Sequence, residues 1–155
     1  MNKVNLINKK HLKNTDALIK QYSLICESAD RITDKRQNTN NYFLTVNSFI
    51  FVASGYILAV GKQITPLLIS FIGLVISSIW IKNINSYKKL NSAKFKVIHE
   101  LESNLPANIY KMENEYLKKG YYKLTSIEKN IPIIFGVLYF IMIIVSVSSI
   151  IIRTW

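Results

Sequence analysis

The chain has 155 residues, half of them hydrophobic, and a formal net charge of +11 at neutral pH. Its single cysteine, Cys26, excludes an intrachain disulfide, and no HExxH, CxxC or glycine-rich loop suggests a metal site or a phosphate-binding site. We therefore expect no enzymatic activity and no cofactor.

Three long stretches carry no Asp, Glu, Lys or Arg: between Arg36 and Lys62, between Lys62 and Lys82, and between Lys129 and Arg153. A bilayer core needs roughly 20 apolar residues of helix, because lipid cannot bind the polar groups of the backbone. A soluble helical domain would need more chain than this to cover all three stretches. The sequence predicts an all-α integral membrane protein with three transmembrane helices, at about 42–60, 64–81 and 131–152.

The first segment, residues 1–40, is predicted to be helical from an N-cap at Asn14 or Thr15. Its apolar residues recur at spacings of four and three, which indicates one stripe of a helix packed on another: Leu18, Tyr22, Ile25, Ala29 and Ile32. No glycine or proline occurs before Gly55. We therefore expect this helix to continue directly into the first span.

Residues 41–81 are predicted to form a transmembrane hairpin that turns at residues 61–63. Gly73 and Ser77, in the second span, have the spacing that lets helix backbones approach closely. These two residues are therefore candidate helix contacts.

Polar atoms inside the first span come from Asn47, with Thr45 and Ser48 beside it. Two roles remain open for Asn47. The favoured one is an interhelical hydrogen bond, and the other is a ring of amides that lines a pore in an oligomer. No ionisable residue lies within the spans, which argues against coupled transport and proton relays.

Residues 82–130 predict two further helical pieces. The first continues the second span to Pro106, and the second runs from Pro106 to Lys119 with Gly120 as its stop. Residues 121–129 are expected to link back to the membrane. The third span is expected to begin at Asn130–Pro132, and the segment 131–155 contains it.

His99, Glu100 and Glu102 are a possible titrating cluster in this region. A solvated helix face is the favoured interpretation of the three residues.

Basic residues are unevenly distributed along the chain. Residues 1–38 contain eight Lys or Arg and residues 82–130 contain ten, whereas the outer turn has only Lys62 and the tail only Arg153. Because basic segments stay in the cytoplasm, we expect the N-terminus inside and the C-terminus outside. The same residues favour binding to anionic lipid, whereas the scarcity of arginine argues against nucleic acid.

Charged residues just before the first span carry a further hypothesis. Asp30 and Asp34 are one helical turn apart, and such like charges repel each other. Pairing with Arg31 or Arg36 of a neighbouring copy would relieve this repulsion in an intersubunit ring. The alternative is ordinary charges at the level of the lipid headgroups. A separate observation predicts a homo-oligomer. One chain is too small to cover all of its own apolar helix stripes, so other copies must cover them.

Several runs of residues resemble the small octameric inner-membrane proteins of the RipA type. The resemblance covers roughly residues 20–118 and rests on these runs: Ala29–Arg36, Asn41–Leu44 with Asn47, Trp80, Ser86–Asn91, Ala93–Phe95, Val97–Glu102, Leu105–Pro106 and Glu115. It implies an octameric membrane assembly, in a group similar to membrane accessory proteins of phage defence, some of which form pores. The third span departs from the simple two-span pattern.

Together these features predict a homo-oligomer of a bacterial cytoplasmic membrane. Our first expectation is a pore-forming or membrane-perturbing effector in stress or phage defence. The alternative is a non-conducting scaffold whose cytoplasmic helices bind a protein partner.

Overall fold

The structure, a computed structural model, describes residues 15–62, 64–117 and 124–154. It contains four helices: α1 (Thr15–Ala59), α2 (Ile64–Glu102), α3 (Ile109–Leu117) and α4 (Leu124–Thr154). The described residues are 93% helical and include no strand. Since α1, α2 and α4 are long and apolar enough to cross a membrane, the predicted all-α membrane fold with helical extensions is confirmed.

The helices divide into two compact units. We name residues 36–86 and 123–155 the membrane unit, because they contain the charge-free stretches. The extension unit comprises the described residues 15–35 and 87–117. Each unit has its own buried residues.

The turn after α1 lies in the membrane unit and has the geometry of a Schellman motif. Gly61 has φ of +84°, the left-handed conformation that glycine adopts without steric cost. Its N–H donates to the carbonyl of Leu58 at 3.0 Å, and the N–H of Lys62 donates to the carbonyl of Ile57 at 3.4 Å. The turn therefore satisfies two carbonyls that the end of α1 would otherwise leave unpaired.

The start of α4 differs from the sequence prediction. The helix begins at Leu124, so the predicted linker is helical over 124–129 and Asn130–Pro132 is not a helix start. Pro132 lies inside the helix and is fully buried. Proline removes a single N–H donor from the helical pattern, and packing against neighbouring helices compensates for that loss in membrane proteins.

The other predicted helix ends are closer to those observed. Thr15 is the first residue of α1, and Asn14 lies outside the described residues. α2 ends at Glu102, and α3 begins at Ile109 rather than at Pro106. The predicted stop at Lys119 and Gly120 also lies outside the described residues.

Candidate functional site

A row of buried polar side chains runs through the interior of the membrane unit. We call it the polar seam, and it consists of Asn47, Ser54, Ser70, Ser77 and Tyr139. Polar atoms away from water need partners, since an unpaired buried group costs about 1 to 3 kcal/mol. The seam satisfies this requirement by pairing residues on different helices.

Asn47 is at the centre of the polar seam. Its side-chain oxygen accepts a hydrogen bond from the Ser77 hydroxyl at 3.0 Å, which joins α1 to α2. Its side-chain nitrogen donates to the carbonyl of Phe43 at 2.8 Å, within α1. Both ends of the amide are therefore engaged inside one chain, as the favoured interhelical interpretation requires.

Tyr139 brings the third span to the same point. Its hydroxyl donates to the backbone carbonyl of Asn47 at 2.8 Å, and its ring lies directly over Gly73. A Cβ atom at Gly73 would stand closer to the Cζ atom of that ring than real Cβ atoms approach a neighbour. The absence of a side chain at Gly73 therefore creates the space that Tyr139 occupies.

Near the turn between α1 and α2, a second pair of hydroxyls joins these two helices. The Ser54 and Ser70 oxygens are 3.1 Å apart, and the Ser54 hydroxyl also lies 3.4 Å from the carbonyl of Pro66. All three residues are buried. Small side chains at these positions let the two helices approach closely.

Trp80 anchors the opposite end of the hairpin. Its indole N–H donates to the side-chain oxygen of Asn40 at 2.9 Å, and its ring stacks on Phe43 with centroids 5.8 Å apart. Trp80 is almost completely buried, so this hydrogen bond gives the indole the partner that a buried Trp requires.

The other polar candidates of the first span do not join Asn47. Thr45 is exposed, and its hydroxyl donates to the carbonyl of Asn41 at 2.9 Å within the same helix. Ser48 is half-buried. The predicted contact residues Gly73 and Ser77 both face the interior of the unit.

We predict that Asn47→Leu weakens the packing of the hairpin without unfolding it. Interhelical hydrogen bonds in membranes contribute about 0.6 kcal/mol on average and up to about 1.7 kcal/mol. Denaturant titration of the purified protein in detergent measures the loss. Thr45→Val, which removes only a bond within one helix, is the matched control and should change nothing. Loss of conduction with unchanged stability would instead favour the pore-lining role.

At the start of the first span, Arg36 pairs with Glu128 of the same chain. Their closest nitrogen and oxygen atoms are 3.2 Å apart, and the two side chains are only 11% and 17% exposed. Arg31, by contrast, pairs with Glu27 one turn away, and both are exposed. The side chains of Asp30, Arg31 and Asp34 are exposed. The predicted intersubunit ring therefore stays a hypothesis.

Glu128→Gln is expected to destabilise the membrane unit because it leaves the Arg36 charge buried without its counter-ion. Breaking a fully buried ion pair costs about 3 to 5 kcal/mol, and the residual exposure here places the cost near the lower end. Exchanging the charges, with Arg36→Glu and Glu128→Arg together, should recover part of the loss in thermal unfolding. Glu27→Gln, in the exposed pair, should have an effect below about 1 kcal/mol.

In the extension unit, a buried carboxylate joins three helices. Glu102 is fully buried, and we define the Glu102 cluster as Glu102 with Tyr22, His99, Tyr110 and Lys111. The Tyr22 hydroxyl of α1 donates to Oε1 at 3.0 Å, and the N–H groups of Tyr110 and Lys111 donate at 2.7 and 3.2 Å. Glu102 therefore ends α2, contacts α1 and caps the first turn of α3.

Hydrogen bonds determine the ionisation of this group. Burial favours the neutral carboxyl, but the Tyr110 N–H, the Tyr22 hydroxyl, His99 and the Lys111 N–H outweigh that effect and lower the pKa of Glu102 below its ordinary value. Burial, and then the bond to Glu102, raise the pKa of Tyr22. The carboxylate is therefore charged, and the phenol neutral, at physiological pH.

The lowered pKa predicts a loss of this cap in acid. A carboxyl whose pKa is lower in the folded state stabilises the fold above its unfolded-state pKa of 4.5, and this contribution disappears as the pH falls through the folded-state pKa. Hydrogen exchange of the Tyr110 and Lys111 amides, corrected for intrinsic rates, should accelerate as the pH falls below about 4.5. Glu102→Gln should abolish this dependence, whereas Glu100→Gln should preserve it.

The expectation of a solvated face is therefore wrong for Glu102, although Glu100 is exposed. The sequence carried a signal for this: Ile98 and Leu101, which are buried, lie on the same helical stripe. Among the described residues, no group of three or more His, Cys, Asp or Glu side chains is placed to hold a metal ion.

Cys26 is half-buried and lies beside the hydroxyls of Tyr22 and Tyr110. The rings of these two tyrosines are 6.4 Å apart. The thiol thus belongs to the packing around the Glu102 cluster.

Comparison with known families shows to which protein family this chain belongs. The sequence model of the octameric membrane protein family, 8xMP, matches residues 19–148, more than four fifths of the chain. The chain belongs to this family. Comparison with curated proteins and with solved structures gives no match.

Membership of the 8xMP family confirms the predicted resemblance to octameric membrane proteins, and with it a membrane protein that assembles with copies of itself. The match continues through most of α4, so the expectation that the third span departs from the family pattern is wrong.

Proposed function

We propose that this 8xMP protein forms a ring of eight copies in a bacterial cytoplasmic membrane and acts as a pore-forming or membrane-perturbing effector in stress or phage defence. The Lys and Arg distribution supports one orientation, with the N-terminus inside and the C-terminus outside. Dihedral symmetry with two-fold axes in the membrane plane would invert half of the copies. A single orientation therefore favours a cyclic octamer.

The geometry of such a ring supports the effector role. Eight helices placed about 10 Å apart around an axis enclose a gap about 16 Å wide. This width already allows for the side chains of the helices, so they do not fill the gap. The gap must therefore hold water, lipid or another part of the chain, and the first two possibilities perturb the bilayer.

The observation that carries the proposal is the apolar outer surface of the membrane unit. Large exposed residues cover all three spans and include Phe49, Val52, Phe71, Val75 and Ile144. Exposed hydroxyls on this surface bond within their own helix, as Ser78 does to the carbonyl of Leu74 at 2.9 Å. Where this apolar surface faces the axis of the ring, it lines the pore. An apolar lining keeps a pore shut by dewetting until a stimulus widens it.

Ion flux from liposomes tests the proposal. The purified octamer should release a trapped ion when the bilayer is stretched or depolarised, and expression in cells should collapse the membrane potential and slow growth. Empty liposomes and an octamer fixed by chemical cross-links serve as controls. Octamers that release no ions under either stimulus, from cells that keep their potential, would contradict the effector role.

A non-conducting scaffold is the second candidate, and the Glu102 cluster favours it. A buried carboxylate with three hydrogen-bond donors on α1 and α3 gives the extension unit a fixed structure that crossing a membrane does not require. Such a unit is suited to holding a cytoplasmic protein or anionic lipid at the membrane surface. The scaffold role predicts intact octamers that release no ions. It also predicts that replacing Glu102 abolishes binding of the cytoplasmic protein or anionic lipid. Neither role includes an enzymatic reaction.

A further inference from the structure

The short helix α3 turns an apolar stripe away from its own unit. Ile109, Met112 and Tyr116 follow the helical spacing of three and four, and they are 63%, 57% and 74% exposed. On the opposite side of α3, Tyr110 packs with its ring centroid 6.4 Å from that of Tyr22 and 5.7 Å from that of Phe95. The described part of the extension unit therefore leaves this stripe uncovered.

Acidic residues flank this stripe. Glu113 follows Met112 and Glu115 precedes Tyr116, so that the two carboxylates lie on opposite sides of the stripe, and both are exposed. This arrangement opposes an anionic lipid surface, which repels carboxylates. It favours a protein surface that is flat or concave and flanked by basic residues.

The outward face of α2 in the extension unit has that complementary character. Lys89, Ala93 and Lys96 follow the spacing of four and three, and all are exposed. They lie on the side of the helix opposite the buried residues Ile98 and Leu101. The small side chain of Ala93 between two lysines provides a shallow apolar seat with a positive charge on either end.

We propose that the α3 stripe of one copy docks onto the Lys89, Ala93 and Lys96 face of α2 in the neighbouring copy. Glu113 and Glu115 then meet the two lysines. Because the contact joins two different surfaces, it is heterologous, and its repetition generates a ring when the rotation from copy to copy closes after eight copies. The proposal rests on the octameric assembly of the 8xMP family and is independent of whether the ring conducts.

Thiol cross-linking between differently tagged copies tests this contact. In a full-length Cys26→Ser background, Met112→Cys and Ala93→Cys are introduced in separate chains and expressed together. A bifunctional thiol reagent should then yield dimers that carry both tags. Either variant expressed alone should yield no dimers, since a heterologous contact does not bring identical residues together.

The control pair combines Met112→Cys with Ser23→Cys, which is exposed on α1, and should yield no mixed dimers. Octamers without the Met112 to Ala93 product would overturn the proposal, and so would dimers formed by Met112→Cys alone. If the Met112 to Ala93 product forms but octamers that have not been cross-linked release no ions, the pore is contradicted and this contact is established.

Charge reversal provides a second test that needs no thiol. Glu113→Lys with Glu115→Lys should reduce the octamer fraction in native mass measurements, and Lys89→Glu with Lys96→Glu in the same chain should restore it. All four residues are exposed, so the changes leave the interior of the unit intact. An unchanged octamer fraction in the Glu113→Lys and Glu115→Lys variant would overturn the proposal.

Discussion

Replacing Gly73 with alanine is expected to displace α4 from the helical hairpin and to reduce the octamer yield. The new Cβ would lie within 2.6 Å of three atoms of the Tyr139 ring. That ring cannot move aside cheaply, because Tyr139 is fully buried and its hydroxyl is bonded to the carbonyl of Asn47. Overpacking costs about 1 to 3 kcal/mol, and loss of the hydrogen bond adds about 1 kcal/mol.

The unfolding midpoint in detergent and the fraction of octamer in size-exclusion chromatography measure this effect. Gly55→Ala and Gly136→Ala are the matched controls, since nothing lies within 4 Å of a Cβ at either position. Tyr139→Leu, which removes the ring, should partly rescue Gly73→Ala. Equal effects at all three glycines would mean that the contact with Tyr139 is not the cause.

Replacing Glu102 with leucine is expected to release α3 from the extension unit. The change leaves the Tyr22 hydroxyl and the N–H groups of Tyr110 and Lys111 without their acceptor. Each unsatisfied donor costs about 1 to 3 kcal/mol, and exposure of α3 to water limits the total to about 3 kcal/mol. Protease cleavage within residues 103–117 should therefore become faster.

Glu100→Leu is the control for this variant, because Glu100 precedes Glu102 by two residues and its side chain is exposed. Glu102→Gln should give an intermediate cleavage rate, since the amide oxygen still accepts hydrogen bonds. If Glu102→Leu resists proteolysis as well as the native protein, α3 is held by its ring contacts with Tyr22 and Phe95 alone. The mixed cross-link between Met112 and Ala93 should disappear together with the order of α3.

Much of the fold could be predicted from the sequence because the bilayer imposes simple requirements. A charge-free run of some 20 residues in this setting has a single solution, a helix, and Gly61 marks the turn between two of them. The boundary at Leu124 could not be predicted in the same way. Polar residues before Pro132 are typical of a linker, and only packing in three dimensions extends α4 through them.

From the sequence, only those members of the candidate site could be predicted whose residue type alone suggests a role. Asn47 is conspicuous in an apolar span, and its role as an interhelical donor or acceptor follows from its chemistry. Its partner Tyr139 lies 92 positions away in the chain, and nothing in the local pattern connects the two. Glu102 and Tyr22 are likewise 80 positions apart. Such pairings are determined by tertiary packing, which no local periodicity records.

The space above Gly73 that the Tyr139 ring occupies has a consequence during synthesis of the chain. Gly73 leaves the ribosome 66 residues before Tyr139, which corresponds to about 3 to 13 s at typical elongation rates. During that interval the newly inserted hairpin presents an open notch to lipid, with no aromatic ring to fill it. A hydrophobic peptide or a chaperone of membrane insertion that occupies the notch would therefore compete with α4 for the place beside Gly73.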